Sequence, residues 1–225
     1  MASSITGATM TVTIKESVIV NGVEQGSTNV TTYSNIRECN RRIVTIPTSE
    51  KTILSIGTAV GPGTFIESDV RYIRITNKDD AHFVRLVFKN EFDHEFCIKL
   101  DPEQTFIFNA DRDNGVADTF TSNDKALAFN DATCDYDNDP TVTCDASTSI
   151  IAGSRVAGTG VVSGTTVASV NTAGAVTSFE LSASTTGGAQ TNNTLGFAAG
   201  LADLVSITAE ADTASVDIEM FVAQI

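Results

Sequence analysis

The fold is decided by residues 83–100, which read FVRLVFKNEFDHEFCIKL. Successive side chains of an extended chain point to opposite faces, so Val84, Leu86 and Phe88 share one face. A second run with the same alternation follows at 95–100, after a short link. The pattern predicts two antiparallel strands that turn one apolar face toward a core.

Strand signals of this kind recur along the chain, whereas helix signals are nearly absent. Asn21-Gly22 adds a turn signal, because a type I′ hairpin turn needs two residues that tolerate positive φ. Many short strands at regular spacing are typical of a sandwich or a barrel. We therefore predict an all-β fold with an antiparallel β-sandwich or jelly-roll-like base domain, its strands at 10–14, 17–20, 30–36, 42–46, 53–56, 70–76, 83–89, 95–100, 105–109, 204–209 and 215–222.

The composition changes in the second half of the chain. Residues 146–196 are rich in Ser, Thr, Gly, Ala and Val, and they carry only two charges, Arg155 and Glu180. Apolar residues still recur regularly there, which favours a small folded β module over a flexible low-complexity linker. The ordinary strand pattern then returns. We predict a base domain formed by 1–130 and 199–225, with an inserted β module at 131–198.

Acidic residues give the chain a net charge of −14. Residues 1–110 hold 11 Lys and Arg against 13 Asp and Glu, and residues 111–225 hold 3 against 15. A surface this acidic repels phosphate backbones, so we expect no nucleic-acid partner. No run approaches the roughly 18 apolar residues of a membrane helix, so we also expect no membrane partner.

The composition also argues against an enzyme. The chain has no Trp and only two His, His82 and His94. Most enzymes that move protons at neutral pH use His, and neither residue lies in a recognisable catalytic motif. The first residues show no basic and apolar leader pattern, so we expect a non-enzymatic protein that is made and kept in a cytoplasm.

An acidic turn carries the one candidate metal site. Asp135, Asp137 and Asp139 have the opening spacing of a calcium loop, in which alternate carboxylates converge on one cation. An EF-hand would then need Gly and Glu where this chain has Pro140 and Ala146, so an EF-hand is excluded. Either a looser Ca²⁺ site or a solvated acidic turn remains, and we expect no other cofactor.

Cys134 and Cys144 form the candidate disulfide. A polar turn separates the two short segments that carry them, so the sulfurs would face each other if the segments pair as a hairpin. A reducing cytoplasm favours free thiols instead. Cys39, expected in a polar loop, and Cys97, expected on the outer face of a strand, are interpreted as ordinary thiols. The four cysteines form no Cys-x-x-Cys pair and no Cys/His cluster of zinc spacing, so we expect no metal-thiolate site.

Phe221 is the candidate interface residue. Every second residue from Val216 to Val222 is apolar and shares one face of the last predicted strand, whereas Phe221 falls on the other face with acidic residues. It should face solvent if the first face is core. Packing at the edge of the core and contact with another subunit or a capsid are the two interpretations.

Part of the insert resembles a known kind of module. Residues 151–160 (IAGSRVAGTG), 161–171 (VVSGTTVASVN) and 179–183 (FELSA) resemble a small Gly/Thr/Val-rich β repeat that is common in bacteriophage virion proteins. The chain departs from that pattern at Arg155, where an apolar residue is usual. The base, including 211–219 (ADTASVDIE), resembles small all-β structural proteins of marine, cyanophage-like tailed phages.

The resemblance implies a virion structural protein without catalytic residues, either a capsid decoration protein of the cement type or a tail-associated protein. Its implied partners are the phage major capsid or tail protein and further copies of itself, with a trimer favoured. Its implied location is the virion, after assembly in the host cytoplasm. The alternative is a tail- or fibre-associated adhesin that binds a receptor or a carbohydrate. That alternative needs an exposed aromatic platform, and two of the insert's three aromatic residues, Tyr136, Phe179 and Phe197, look like core.

Overall fold

The structure, a computed structural model, describes residues 6–59, 61, 63–122, 128–172 and 174–225. Strands are the regular secondary structure of these residues, which confirms the all-β prediction. The strands are β1 (Ala8–Lys15), β2 (Ile19–Val20), β3 (Val23–Glu24), β4 (Thr28–Ile36), β5 (Glu38–Ile46), β6 (Lys51–Gly57), β7 (Thr64–Ile66), β8 (Val70–Asn77), β9 (Val84–Asn90), β10 (Glu95–Leu100), β11 (Thr105–Asn109), β12 (Phe120–Thr121), β13 (Phe129–Tyr136), β14 (Thr141–Ser147), β15 (Ser154–Ala157), β16 (Val167–Val170), β17 (Val176–Leu181), β18 (Gln190–Ala199), β19 (Leu201–Ala202), β20 (Leu204–Ala211) and β21 (Val216–Gln224).

In the described chain, these strands form three larger sheets and three ribbons of two strands each. The sheets have the orders β11-β8-β21-β5, β10-β9-β20-β6-β7 and β15-β18-β13-β14-β17-β16. The ribbons are β1-β4, β2-β3 and β12-β19. Most pairs are antiparallel, as predicted, and β6 and β7 pair in parallel. No helix of the described residues is long and apolar enough to span a membrane.

The chain divides into two compact units. Unit 1 comprises Met1–Leu86, Ile98–Val116 and Thr208–Ile225, and unit 2 comprises Val87–Cys97 and Ala117–Ile207.

Unit 2 contains the predicted insert, 131–198, together with residues on both sides of it. The predicted boundaries fall inside two strands that pair with each other, since Asn130 of β13 lies opposite Gly196 of β18. The predicted boundaries follow a change in composition, whereas the limits of unit 2 lie further out in the sequence and fall partly inside β9, β10 and β20. The two limits therefore differ.

Unit 1 is organised around β21, which lies between β8 and β5 in its sheet. The alternate residues of β21 from Val216 to Val222 are fully buried, as the sequence pattern predicts. β5 pairs with β21 along its whole length and includes Cys39. The prediction that Cys39 lies in a polar loop is therefore wrong, because the polar residues around it occupy the exposed positions of a sheet-edge strand. Cys97 is exposed on β10, as predicted.

The core of unit 2 is a cluster of buried side chains centred on Phe197. Its ring stacks on Phe129 with 4.8 Å between centroids, and it meets the ring of Phe179 edge-on at 5.7 Å. Tyr136 is buried in the same cluster. A tight turn closes beside it at Gly160, where φ is 72° and a Cβ would lie 2.0 Å from the carbonyl oxygen of Thr186. Residues of the predicted insert thus form a folded sheet, and its aromatic side chains are core.

We expect Phe197→Ala to lower the free energy of unfolding of unit 2 by about 3–5 kcal/mol, because both ring contacts are lost and a cavity remains. Val162→Ala is the matched control, since Val162 is 48% exposed in the same unit, and it should change stability by less than about 0.5 kcal/mol. Urea unfolding followed by circular dichroism measures both variants. Equal effects would contradict this account of the core.

Candidate functional site, an exposed β-arm

Residues 8–36 form a long hairpin, which we call the arm. β1 and β4 pair in antiparallel fashion from Ala8 opposite Ile36 to Lys15 opposite Thr28. The ladder continues through two backbone hydrogen bonds, from the Glu16 N–H to the Ser27 carbonyl and from the Gln25 N–H to the Val18 carbonyl, both 2.8 Å. β2 and β3 complete it.

The predicted type I′ turn at Asn21-Gly22 closes the arm. Both residues have positive φ, 50° at Asn21 and 78° at Gly22. Glu24 fixes the chain behind this turn, because its Oε1 accepts hydrogen bonds from the N–H groups of Val18 (3.1 Å) and Gly26 (2.8 Å). The tip therefore has a defined conformation, although few of its side chains are buried.

The root of the arm is anchored in unit 1. Tyr33 and Ile36 of β4 are buried in a cluster with Tyr72 of β8 and Ala223 of β21. Tyr33 and Tyr72 have ring centroids 6.3 Å apart. Met10 and Val12 of β1 pack partly against this cluster. The anchoring is hydrophobic, and it covers the face of β21 that lies opposite its core face.

Beyond the root, the arm exposes branched apolar side chains to solvent. Ile19 is 70% exposed, Val23 57% and Val30 55%. Six of the ten large exposed hydrophobic residues of the described chain lie on the arm, namely Ile14, Val18, Ile19, Val20, Val23 and Val30. An isolated two-stranded ribbon has marginal stability, and exposed apolar residues gathered on one element are typical of interaction surfaces. The register places them on both faces of the ribbon, since Val20 lies opposite Val23 and Ile19 opposite Glu24.

The arm carries little charge, with Lys15, Glu16 and Glu24 as its charged residues. It holds no His or Cys. Its chemistry is that of an apolar contact surface.

A charged network lies on the sheet face next to the arm. The Glu219 carboxylate of β21 accepts a hydrogen bond from Nη2 of Arg41 at 2.6 Å and a second one from Arg74. The hydrogen bond from Arg41 is the main reason that the pKa of Glu219 lies below its usual value. Residues of β1 and this network line a groove of about 910 Å³.

Phe221 lies on the same face of β21. Its ring is partly buried and meets Tyr72 edge-on at 6.0 Å, and the Arg74 guanidinium lies 5.8 Å from its centre. The expectation of a solvent-facing ring is not met, because the root of the arm covers this face. Of the two interpretations, packing at the edge of the core describes its place in unit 1. A contact with another subunit stays a prediction.

The structure places the three candidate calcium ligands in separate hydrogen bonds. Asp135 Oδ1 accepts from the Asn192 N–H at 2.7 Å, and Asp139 Oδ1 accepts from the Thr141 N–H at 3.1 Å. Asp137 accepts from its neighbour Asn138. Among the residues that the structure describes, no three carboxylates, thiols or imidazoles are grouped so that they could hold a metal ion. A Ca²⁺ site here stays a prediction.

Cys134 and Cys144 lie on paired strands of unit 2, so the two segments do form a hairpin. Asp135 lies opposite Thr143, and this antiparallel register brings Cys134 opposite Cys144. Both are free thiols in the structure. Burial raises the pKa of Cys134 to about 12 and that of Cys144 to about 11, with Asp131 adding to both shifts. A disulfide between them stays a prediction.

Unit 2 also has an aromatic cleft that the sequence pattern did not reveal. Phe96 stacks on Phe88 with 4.7 Å between centroids and on Phe120 with 5.4 Å. Phe96 is 41% exposed, and with Lys89 and His94 it lines a cleft of about 450 Å³. Alternation placed Phe96 on the core face of its strand, but a position next to the hairpin end leaves it open to solvent.

The burial of the thiols predicts that two cysteines are alkylated slowly and the other two quickly. Thiolates are the reactive species, so Cys134 and Cys144 should react slowly with iodoacetamide until the pH approaches about 11. The exposed Cys39 and Cys97 should react faster than these two at the same pH, because solvent reaches their sulfurs. Mass spectrometry of the alkylated peptides between pH 7 and 10 measures the four rates. Rapid labelling of Cys134 in folded protein at pH 8 would contradict its burial.

Comparisons with protein-family models, with curated proteins and with solved structures returned no match for this chain. Any assignment of function therefore starts from the geometry described above.

Proposed function

We propose that this chain is a non-enzymatic structural subunit of a phage virion, of the capsid decoration type, and that it assembles with further copies of itself through the arm. The single observation that carries the proposal is the arm. It is a defined hairpin, anchored at its root and apolar at its exposed tip.

The energetics of the tip support an assembly role. Full burial of a Val or Ile side chain stabilises a protein by about 1.5–3 kcal/mol. Six such side chains, each between 38% and 70% exposed, can offset a large part of the entropy lost on association. A monomer gains nothing from displaying them in water.

A second copy of the chain is the occupant that fits the arm. β5 is an edge strand of its sheet, and it exposes Ile43 to 67%. Such an edge has unpaired backbone groups to which another strand can add. β5 carries Arg41 and Arg42 against Glu38, and the arm has one more acidic than basic residue, so the two surfaces do not repel each other. Head-to-tail docking of each arm on the next copy gives a closed ring, such as a trimer, when the rotation between copies closes on itself.

Two further features support a place in a virion. The resemblance of residues 151–183 to virion β repeats is one of them. The acidity of unit 2 is the other, since it holds 3 of the 14 basic residues and 12 of the 28 acidic ones. A strongly acidic unit stays solvated and resists unspecific association. The major capsid protein, or a tail protein, is the proposed shell partner.

We expect the variant Ile19→Thr, Val23→Thr, Val30→Thr to weaken self-association about a hundredfold, because three branched side chains gain a hydroxyl that disfavours burial. Threonine keeps the β-branch, so the hairpin itself should persist. Val162→Thr with Leu201→Thr is the matched control, since both residues are exposed outside the arm. Light scattering during size-exclusion chromatography over a concentration series measures the mass.

Wild-type protein that runs at the 23.7 kDa of one chain at every concentration up to about 100 μM would contradict self-assembly. The virion role has a separate test, in which particles from producing cells are purified on a density gradient and their proteins are counted by mass spectrometry. The chain should be present in many copies per particle. Recovery only in the free protein fraction would overturn the virion role and leave the oligomer result unaffected.

The aromatic cleft favours a second candidate function, that of an adhesin that binds a carbohydrate. An exposed ring beside polar side chains offers a sugar both a stacking surface and hydrogen-bond partners. Phe96 with Lys89 and His94 meets this description in unit 2.

If the cleft binds a glycan, Phe96→Ala should lower the affinity about tenfold or more, because an exposed aromatic anchor is lost. A glycan array screened with wild-type protein supplies the ligand, and calorimetry compares the variants. Val162→Ala is the control, and thermal unfolding checks that Phe96→Ala remains folded. Absence of any glycan signal for wild-type protein would exclude this candidate.

A further inference from the structure

Arg71 is a buried cation in unit 1. The residue is 5% exposed at the start of β8, and its Nη1 donates hydrogen bonds to the carbonyls of Ser68 (2.6 Å) and Val70 (3.3 Å). Among the described residues, no carboxylate forms an ion pair with it. A buried charge is strongly disfavoured unless an opposite charge compensates it. Arg71 therefore holds its charge without a directly bonded anion from the described chain, although the Asp111 carboxylate is close enough to respond to that charge.

A small cavity opens beside this guanidinium. It has a volume of about 180 Å³ and is lined by Thr32, Tyr33, Ser34, Arg71 and Arg112. All five carry hydrogen-bond donors in their side chains, and two are cations. Arg112 likewise forms no ion pair with any described carboxylate.

One of the two acids that flank Arg112, Asp111, is already engaged in its own turn. Asp111 Oδ1 accepts the N–H groups of Asn114 and Asp113, both at 2.8 Å. These two bonds are the largest causes that hold the pKa of Asp111 below its usual value, and the charge of Arg71 adds a smaller effect. Burial raises the pKa of Tyr33, and the charge of Arg112 counteracts part of that rise, so Arg112 acts on the Tyr33 hydroxyl.

We propose that Arg71 and Arg112, together with the hydroxyl groups of Thr32, Tyr33 and Ser34, form a binding site for a small tetrahedral oxyanion, such as a phosphate or sulfate group. Guanidinium groups match the geometry of such oxyanions and donate two hydrogen bonds in parallel. The cavity is smaller than the roughly 300 Å³ at which pockets for drug-sized ligands begin, so it takes a single charged group.

The site joins two parts of unit 1. Thr32, Tyr33 and Ser34 belong to β4 at the root of the arm, whereas Arg71 belongs to β8. β1 and β4 form a sheet of their own in the described chain, and the root is held by side-chain packing and by the continuation of β4 into β5. A bound oxyanion would accept hydrogen bonds from β4 and from Arg71 of β8 at the same time, and it would thereby link the arm to the sheet. This inference does not depend on which partner the arm binds.

Isothermal titration of the full chain with inorganic phosphate, in buffers matched for ionic strength with chloride, tests the site. We expect saturable binding of one phosphate per chain, and Arg112→Gln should weaken it about tenfold or more. Arg37→Gln is the matched control, because Arg37 is an exposed arginine of unit 1 outside the cavity. It removes the same charge and should change the affinity less than about twofold.

Three outcomes would overturn the proposal. These are no saturable binding by wild-type protein, binding that Arg112→Gln leaves unchanged, and equal weakening by Arg112→Gln and Arg37→Gln. Arg71→Lys provides a second variant, with urea unfolding as the check on its fold, and loss of phosphate binding in a folded Arg71→Lys protein supports the site. Parallel titrations with sulfate and with glycerol phosphate show whether the site binds a free oxyanion or a phosphate group that belongs to a larger ligand. Equal affinities indicate a free oxyanion, and tighter binding of the monoester indicates a phosphate carried on a larger ligand.

Discussion

The fold of unit 1 depends on one strand, the last of the chain. β21 pairs with β5 from Val216 opposite Ile46 to Gln224 opposite Glu38, and it pairs with β8 on its other edge. Partners that are more than 140 residues apart in the sequence are thereby joined in one sheet. Such non-local pairing makes folding slow, because loops must close before contacts form. Neither β5 nor β8 has a complete sheet until β21 has paired with it.

Both faces of β21 pack against other parts of unit 1. The side chain of Glu219 fixes the register of this strand with its two neighbours. One face supplies fully buried side chains to the core, and the other supplies Phe221 and Ala223 to the cluster under the arm. Glu219, 9% exposed, meets Arg41 from one neighbouring strand and Arg74 from the other. A shift of one residue would leave this carboxylate buried without a partner and would exchange the two faces. The main effect of the ion pairs of Glu219 is therefore to destabilise other registers of β21, and their contribution to the stability of the correct register is smaller.

Alternation in the sequence predicted most strands and the face that each residue occupies. It also predicted the turn at Asn21-Gly22, because turn chemistry is local. It could not predict that Phe221 is covered or that Phe96 is open. Alternation tells which residues share a face, whereas another element, distant in sequence, decides whether that face meets solvent. The limits of unit 2 likewise differ from the change in composition, because residues 87–97, far from the insert in sequence, belong to the same compact unit.

Arg71 is an exception to the apolar alternation of β8. Arg71 alternates in phase with Ile73 and Ile75, both of which are fully buried. A charge in phase with core residues is costly in any fold, so it signals either a buried ion pair or a bound counter-ion. The sequence alone cannot distinguish these, because the acid that would pair with the cation can come from any strand. In unit 1, β4 brings hydroxyl groups to the cavity beside Arg71, whereas Asp111, whose pKa the charge of Arg71 helps to lower, forms no ion pair with it. The residue that looks like an exception to the core pattern therefore marks the proposed ligand site at the root of the arm.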